Sequence, residues 1–184
     1  MTEERFPPLA PDAMTPEQSR VAAAIMDGPR GSIRGPFKAL LRSPELADRV
    51  QKVGEYIRFQ SCLPAHLNEM AIMLAGRKWK AQFEFYAHRE LGLKAGLNPA
   101  IPAAIAVGQR PATMTADEAA VYEFSTELLG SGQVSDANFA AIAGLFGEAG
   151  VIDLIGAIGY YSLVSMVLNV DRYKLPEGVE PPLK

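Results

Sequence analysis

The sequence predicts an all-α protein, a single-domain bundle of seven or eight helices. Three observations predict it. Helix starts with explicit capping chemistry recur along the chain, and the apolar residues between them return at helical spacing. No segment alternates apolar and polar residues between hairpin turns, as a half-buried strand would.

Taken in order, the elements begin with an arm. "MTEERFPPLAPDAM" (residues 1–14) is acidic and proline-rich, and Pro7, Pro8 and Pro11 oppose regular structure. It holds no apolar core of the kind a secretion signal needs. The helical domain is expected over residues 15–184. "TPEQ" puts Thr15 at an N-cap, Pro16 at the first helical position and Gln18 where a capping box requires it. "GPRGSIRGPF", Gly28 to Phe37, reads as a flexible connector. "SPEL" places Ser43 at the cap of a helix running to about Phe59. Leu67, Met70, Ala71 and Leu74 recur at i, i+3, i+4, i+7. "LNPAI" gives Asn98 as a cap with Pro99 as first residue, and "TADE" is a second full capping box, Thr115 with Glu118. Val121, Phe124, Ser125 and Leu128 follow the helical period less purely. A helix starts at Ser135, and "GEAG", Gly147 to Gly150, separates it from the last, apolar one.

Composition narrows the function classes. Of 184 residues, 48% are hydrophobic and 21% charged, an ordinary globular balance for a chain long enough to bury a core. A formal charge of −3 provides no basic field for nucleic acid, which is not expected as a partner. The single cysteine, Cys62, cannot close an intrachain disulfide and is expected to be an inert buried thiol. Residues 151–168 are long and apolar enough to be weighed as a membrane span. Asp153, Gly156, Gly159 and two tyrosines favour a buried helix instead, with no membrane partner and a cytoplasmic address expected. No nucleotide loop or Cys/His metal spacing occurs, and neither metal nor cofactor is expected.

The informative stretch is "LNEMAIMLAGRKWKAQFEFYAHRELGLKAGL", Leu67 to Leu97. Glu69 lies opposite the apolar stripe of its helix, yet Ile72, Met73 and Gly76 surround it there. A carboxylate so placed loses hydration, and its pKa rises unless a cation compensates. On the next helix Ala81, Glu84, Phe85, His88, Leu91 and Ala95 share one face, and Glu84 and His88 stand at i, i+4. A histidine beside a carboxylate in an apolar wall suits general acid/base work. The plain alternatives are a structural Glu–His hydrogen bond, or Glu69 pairing with Arg77 or Lys78. Tyr160 and Tyr161 read as core residues with satisfied hydroxyls.

The same stretch resembles the central motif of the carboxymuconolactone decarboxylase family, which shares the alkylhydroperoxidase D-like fold. That motif has a glutamate in the first helix, an aromatic–Glu–aromatic run, a histidine three residues on, and an alanine–glycine ending. Glu69, Phe83-Glu84-Phe85, His88 and "KAGL" match it in order. The likeness extends through "GPFKALLRSPELADRVQKVGEYIRF" and "GYYSLVSMVLN" to "LPEG", roughly Gly35 to Gly178.

In the peroxidase branch of that fold a Cys-x-x-Cys pair precedes the histidine. Its cysteine positions fall here at Ala81 and Glu84, so dithiol hydroperoxide reduction is not expected. The resemblance therefore implies the decarboxylase branch, a cofactor-free lyase acting on a small lactone or carbonyl acid. His88 would supply the proton, with Glu69 or Glu84 setting its tautomer and charge. Phe85, Arg77 and Trp79 are the candidate substrate contacts, Arg77 as anchor of a substrate carboxylate. The sequence departs from the family where Phe85 stands for a frequent tryptophan and Asn68 for a frequent basic residue. A homo-oligomer (trimer, hexamer or dimer) is implied as well. The alternatives kept open are a non-catalytic ligand binder or oligomeric scaffold, and a hydroperoxide-reductase relative that has lost its cysteines.

Overall fold

Eight α-helices and one 3-10 turn make up the computed structural model, which describes residues 3–184; no strand occurs among them. After the turn at Pro11–Ala13 come α1 (Pro16–Asp27), α2 (Phe37–Leu40), α3 (Pro44–Phe59) and α4 (Ala65–Lys78). Then follow α5 (Gln82–Lys94), α6 (Ala100–Ala106), α7 (Ala116–Ser131) and α8 (Asp136–Asp171). The chain is all-helical, as capping and periodicity predict.

Local chemistry explains the starts. In the first capping box the Gln18 N–H donates to Thr15 Oγ1 at 3.2 Å, and the Thr15 N–H to Gln18 Oε1 at 3.0 Å. In the second, the Thr115 N–H donates to Glu118 Oε2 at 2.7 Å. Each cap of this kind is worth about 1 kcal/mol. Ser43 behaves differently: α3 starts at Pro44, but the hydroxyl makes no capping bond. Its backbone, at φ −125° and ψ 80°, departs from the extended geometry of the two working caps. Asn98 Oδ1 accepts from the Ala100 N–H at 3.0 Å, so α6 begins one residue later than expected, with Pro99 at the cap.

Two connections differ from the sequence reading. The glycine-rich connector ends in a helix, because Phe37 opens α2 and is fully buried. The expected separation at residues 147–150 contracts to one residue: Gly147, at φ 69° and ψ 179°, breaks α8 without an intervening loop. Only glycine adopts that backbone readily. The arm is strapped down. Its Arg5 N–H donates to the Asp171 carbonyl at 2.9 Å, the Phe6 N–H to Asp171 Oδ1 at 2.7 Å, and Glu4 pairs with Lys38. Met1 and Thr2, the first residues of the expected arm, lie outside the described residues.

Helix α4 runs through the middle, packed against α5, α6, α7 and α8. Asn68 and every residue from Met70 to Gly76 are buried, as a helix apolar nearly all round demands. One core cluster joins Met70, Met73 and Phe85 to Ile101, Phe124 and Leu154. A second joins Val21, Ile25 and Phe37 to Ile57, Ile72 and Leu168. Helix α8 is long and apolar enough to span a membrane by length and composition, and 56% of its most apolar window is buried. It is tied to the end of α3 and the α3–α4 loop by Asp153, which accepts from the Tyr56 hydroxyl (3.0 Å), the Ser61 hydroxyl (3.0 Å) and the Cys62 N–H (2.8 Å). Burial raises the Asp153 pKa, but these donors outweigh it and hold it below the usual value.

Candidate active site

The α4–α5 hairpin positions the acid and the imidazole. Lys80, at φ 53°, turns the chain after α4, and the Ala81 N–H returns to the Gly76 carbonyl at 2.9 Å. A methyl at Gly76 would sit 3.4 Å from the Phe85 nitrogen, and one at Gly92 would sit 3.4 Å from Glu69 Cβ. Both glycines let the helices approach closely. Glu69 on α4 thereby meets His88 on α5, while Glu84 lies one turn before His88 on the same face.

The result is a carboxylate on each ring nitrogen. Nδ1 of His88 lies 2.5 Å from Glu69 Oε2, and Nε2 lies 2.8 Å from Glu84 Oε1. The side chains of Glu69, His88 and Glu84 are 12%, 7% and 5% exposed. Burial favours the neutral ring, yet the charges and hydrogen bonds of Glu84 and Glu69 outweigh it, and the His88 pKa is pushed up to about 9. His88 is thus an imidazolium at neutral pH, donating from both nitrogens. Glu84 also sits in the first turn of α5, where the helix dipole favours a negative charge. Tyr161 meets the His88 ring edge-on, with centroids 4.7 Å apart. Its hydroxyl, buried and near Glu84, is held well above the usual tyrosine pKa.

A cavity of about 320 Å³ opens on this triad. Glu84, His88, Tyr160 and Tyr161 form one wall, and Arg30, Arg34 and Arg58 line it as well. Nη2 of Arg30 donates to the Tyr160 hydroxyl at 3.2 Å, its guanidinium lies 4.7 Å from the Phe37 ring centroid, and its Nε is buried without a partner. Gly54 makes room for both groups: a methyl there would stand 2.1 Å from the Tyr160 oxygen and 2.3 Å from Arg30 Nη2. Three guanidinium groups facing a single lining carboxylate give the cavity a positive character suited to an anion. Among the described residues no cluster of His, Cys, Asp and Glu is placed to hold a metal ion.

Of the residues singled out in the sequence, the structure brings His88, Glu69 and Glu84 together. His88 and Glu84 face the cavity, and Glu69 stands behind the ring. The three expected substrate contacts lie elsewhere. Phe85 is fully buried in the core, because one residue's rotation from Glu84 turns it toward α4. Arg77 is eight residues beyond Glu69, about 12 Å along α4, and lines a different cavity. Trp79 is 39% exposed at the end of α4, its carbonyl accepting from Asn169 Nδ2 at 2.6 Å.

Two further expectations are corrected. Cys62 is exposed, on the α3–α4 loop, where its backbone N–H donates to Asp153. Slight local burial and the nearby Asp153 push its thiol pKa up, which disfavours the thiolate. Tyr160 and Tyr161 are buried as expected, but they line the cavity. The arginines were not anticipated. A signal for two of them exists in "GPRGSIRGPF", where Arg30 and Arg34 punctuate a connector of small and rigid residues; Arg58 gives no such sign. Set against protein-family models, curated proteins and solved structures, the chain matches none of them. Fold and site together define a helical bundle with a carboxylate–imidazolium–carboxylate triad on the wall of a cationic cavity.

Proposed function

We propose that the protein is a cofactor-free lyase that decarboxylates a small lactone or carbonyl acid by proton transfer through His88 and Glu69. The observation that carries this reading is the His88 imidazolium, clamped by two carboxylates at the edge of a cavity lined by three arginines. The arginines hold the substrate carboxylate and an adjacent carbonyl oxygen. The bond to the carboxylate breaks, its electron pair passes into the enolate, and carbon dioxide leaves. Guanidinium groups stabilise the enolate oxygen as charge develops there. The proton on His88 Nε2 then moves to the enolate carbon, with Glu84 as the cavity-side relay. Glu69 keeps the Nδ1 proton in place, and water restores the proton given up. The likeness of the α4–α5 pair to the carboxymuconolactone decarboxylase motif supports the same reading, and so do the apolar rings of Phe37 and Phe83 on the cavity lining.

One observation favours a second reading, that of a non-catalytic binder of small acids. Both ring nitrogens are already engaged, so a ligand meets a fixed cationic wall without having to exchange a proton. A single experiment separates the two. Unsaturated lactone acids and β-keto acids are incubated with the protein in D₂O, reading carbon dioxide release and deuterium at the product carbon. The lyase reading expects both from the unchanged protein and neither from His88→Gln, whose helical fold is checked by circular dichroism. Acids that bind without ever releasing carbon dioxide would leave the binder.

A further inference from the structure

We propose that a second cavity, open to solvent and lined by α4, α6, α7 and the residues after α6, binds a small organic carboxylate through Arg77. This cavity measures about 230 Å³, and Arg77 and Lys78 are the charged residues on its wall. No carboxylate shares that wall. The nearby Glu123 is committed to Arg110, which it meets at 2.6 Å.

Cations in the last turn of a helix complement its dipole, which accounts for the charges themselves. It does not account for the setting of Arg77. Its Nε is buried with no hydrogen-bond partner among the described residues, and the residue lines the cavity. A buried donor on a charged group left unpaired is costly, and an anion held by the same guanidinium would offset part of that cost by neutralising its charge. The chain is shaped around this group. Gly108, at φ 74°, lies against the guanidinium, and a methyl there would stand 2.8 Å from Arg77 Nη2.

The surroundings define the ligand's chemistry. A guanidinium fork matches a planar carboxylate with two parallel hydrogen bonds. Tyr122 and Thr126 stand on the same wall. Leu74, Ile105 and Leu129 make the remainder apolar, which suits a short hydrocarbon or aromatic body. The volume falls below the roughly 300–1,000 Å³ of drug-sized sites, so the ligand is small. Because Arg77 lines none of the His88 cavity, the proposal does not depend on the lyase reading.

The test is an NMR titration of the full chain, following arginine Nε–H resonances as benzoate, hexanoate, hexanol or inorganic phosphate is added. Comparison with Arg77→Met identifies the Arg77 signal. Benzoate or hexanoate should shift that signal saturably; hexanol, which lacks the charge, should not, and phosphate, which lacks an apolar body to bury, should do so at least about tenfold more weakly. Arg77→Met should weaken binding about ten- to a hundredfold, the scale of a hydrogen bond to a charged group. Thr126→Leu, which fills the cavity and leaves Arg77 in place, should block the shift and covers the case in which Arg77→Met does not fold. Arg30→Met should leave it unchanged. No shift at Arg77 with any carboxylate, a shift confined to the arginines of the His88 cavity, or full binding by Thr126→Leu would each overturn the assignment. So would phosphate matching the carboxylates.

Discussion

Replacing Glu84 with glutamine should lower the His88 pKa by more than one pH unit. The rise from 6.5 to about 9 is what remains after burial has pulled the other way, so the two carboxylates together raise it by more than about 2.5 pH units. Shared evenly between contacts of 2.5 and 2.8 Å, each carboxylate supplies more than about one pH unit. Glutamine keeps the shape and an acceptor oxygen and removes only the charge. Because His66 and His88 are the only histidines, His88→Gln assigns the imidazole resonances directly. A pH titration followed by NMR should place the His88 midpoint near 9 in the unchanged protein, and below about 8 in Glu84→Gln. In Glu69→Gln/Glu84→Gln, burial acts alone and the midpoint should fall below the ordinary 6.5. A wild-type midpoint at or under 6.5, or one unmoved by Glu84→Gln, would refute the electrostatic account of the triad.

The same shift sets a stability profile. The folded pKa lies above the unfolded one, so the contribution is complete below pH 6.5 and disappears as pH rises through about 9; denaturant melts should show a loss of roughly 3 kcal/mol that His88→Gln lacks. Asp153→Ala removes the acceptor of three bonds and should cost about 2–4 kcal/mol in a urea titration. The Asp153 pKa is depressed, so its share is present above the unfolded value of 3.8 and fades as pH falls through the lower folded one; an unchanged urea midpoint would contradict the anchoring role. Phe85→Ala should cost about 3–5 kcal/mol and leave ligand affinity alone, whereas an affinity change at constant stability would return Phe85 to the site. The exposed Ile152, Ile155, Met166 and Val170 lie along a helix with no charged residue between Asp153 and Asp171, and this row is expected to seat a second copy. Gly159 on that row has open space beside it for a close helix partner. Light scattering should find an oligomer that Ile152→Lys reduces to monomers; monomers throughout for the unchanged chain would count against it.

The helices were legible because their signals are local: Thr15 with Gln18 and Thr115 with Glu118 announce themselves within four residues. The greasy helix requires only that Glu69 find a partner, and by itself leaves Arg77 or Lys78 open; the family resemblance is what pairs Glu69 with His88. The second carboxylate on His88 was visible as an i, i+4 neighbour, but its simultaneous contact depends on ring orientation, which spacing does not specify. The arginines of the cavity are a matter of tertiary packing. Arg30 and Arg34 leave a connector and Arg58 leaves α3, and only the fold brings them to one wall. Arg77 enters as a substrate anchor only through the resemblance, and the two turns of α4 between it and Glu69 carry it to another cavity. Phe85 shares a sequence face with Glu84 and His88, but the depth of the α4–α5 contact draws it into the core.

The absence of a side chain at Gly92 has a consequence for anyone redesigning the triad. An added methyl would touch Glu69 Cβ, Leu97 Cδ2 and Met73 Cε, each at 3.4 Å, so alanine is the thickest shim the gap accepts without movement. Valine would wedge the two helices apart and stretch the acid–imidazole contact while leaving every charged group in the protein untouched. Gly92 is therefore a mechanical adjustment screw for proton affinity, set on the far side of the ring from the cavity mouth.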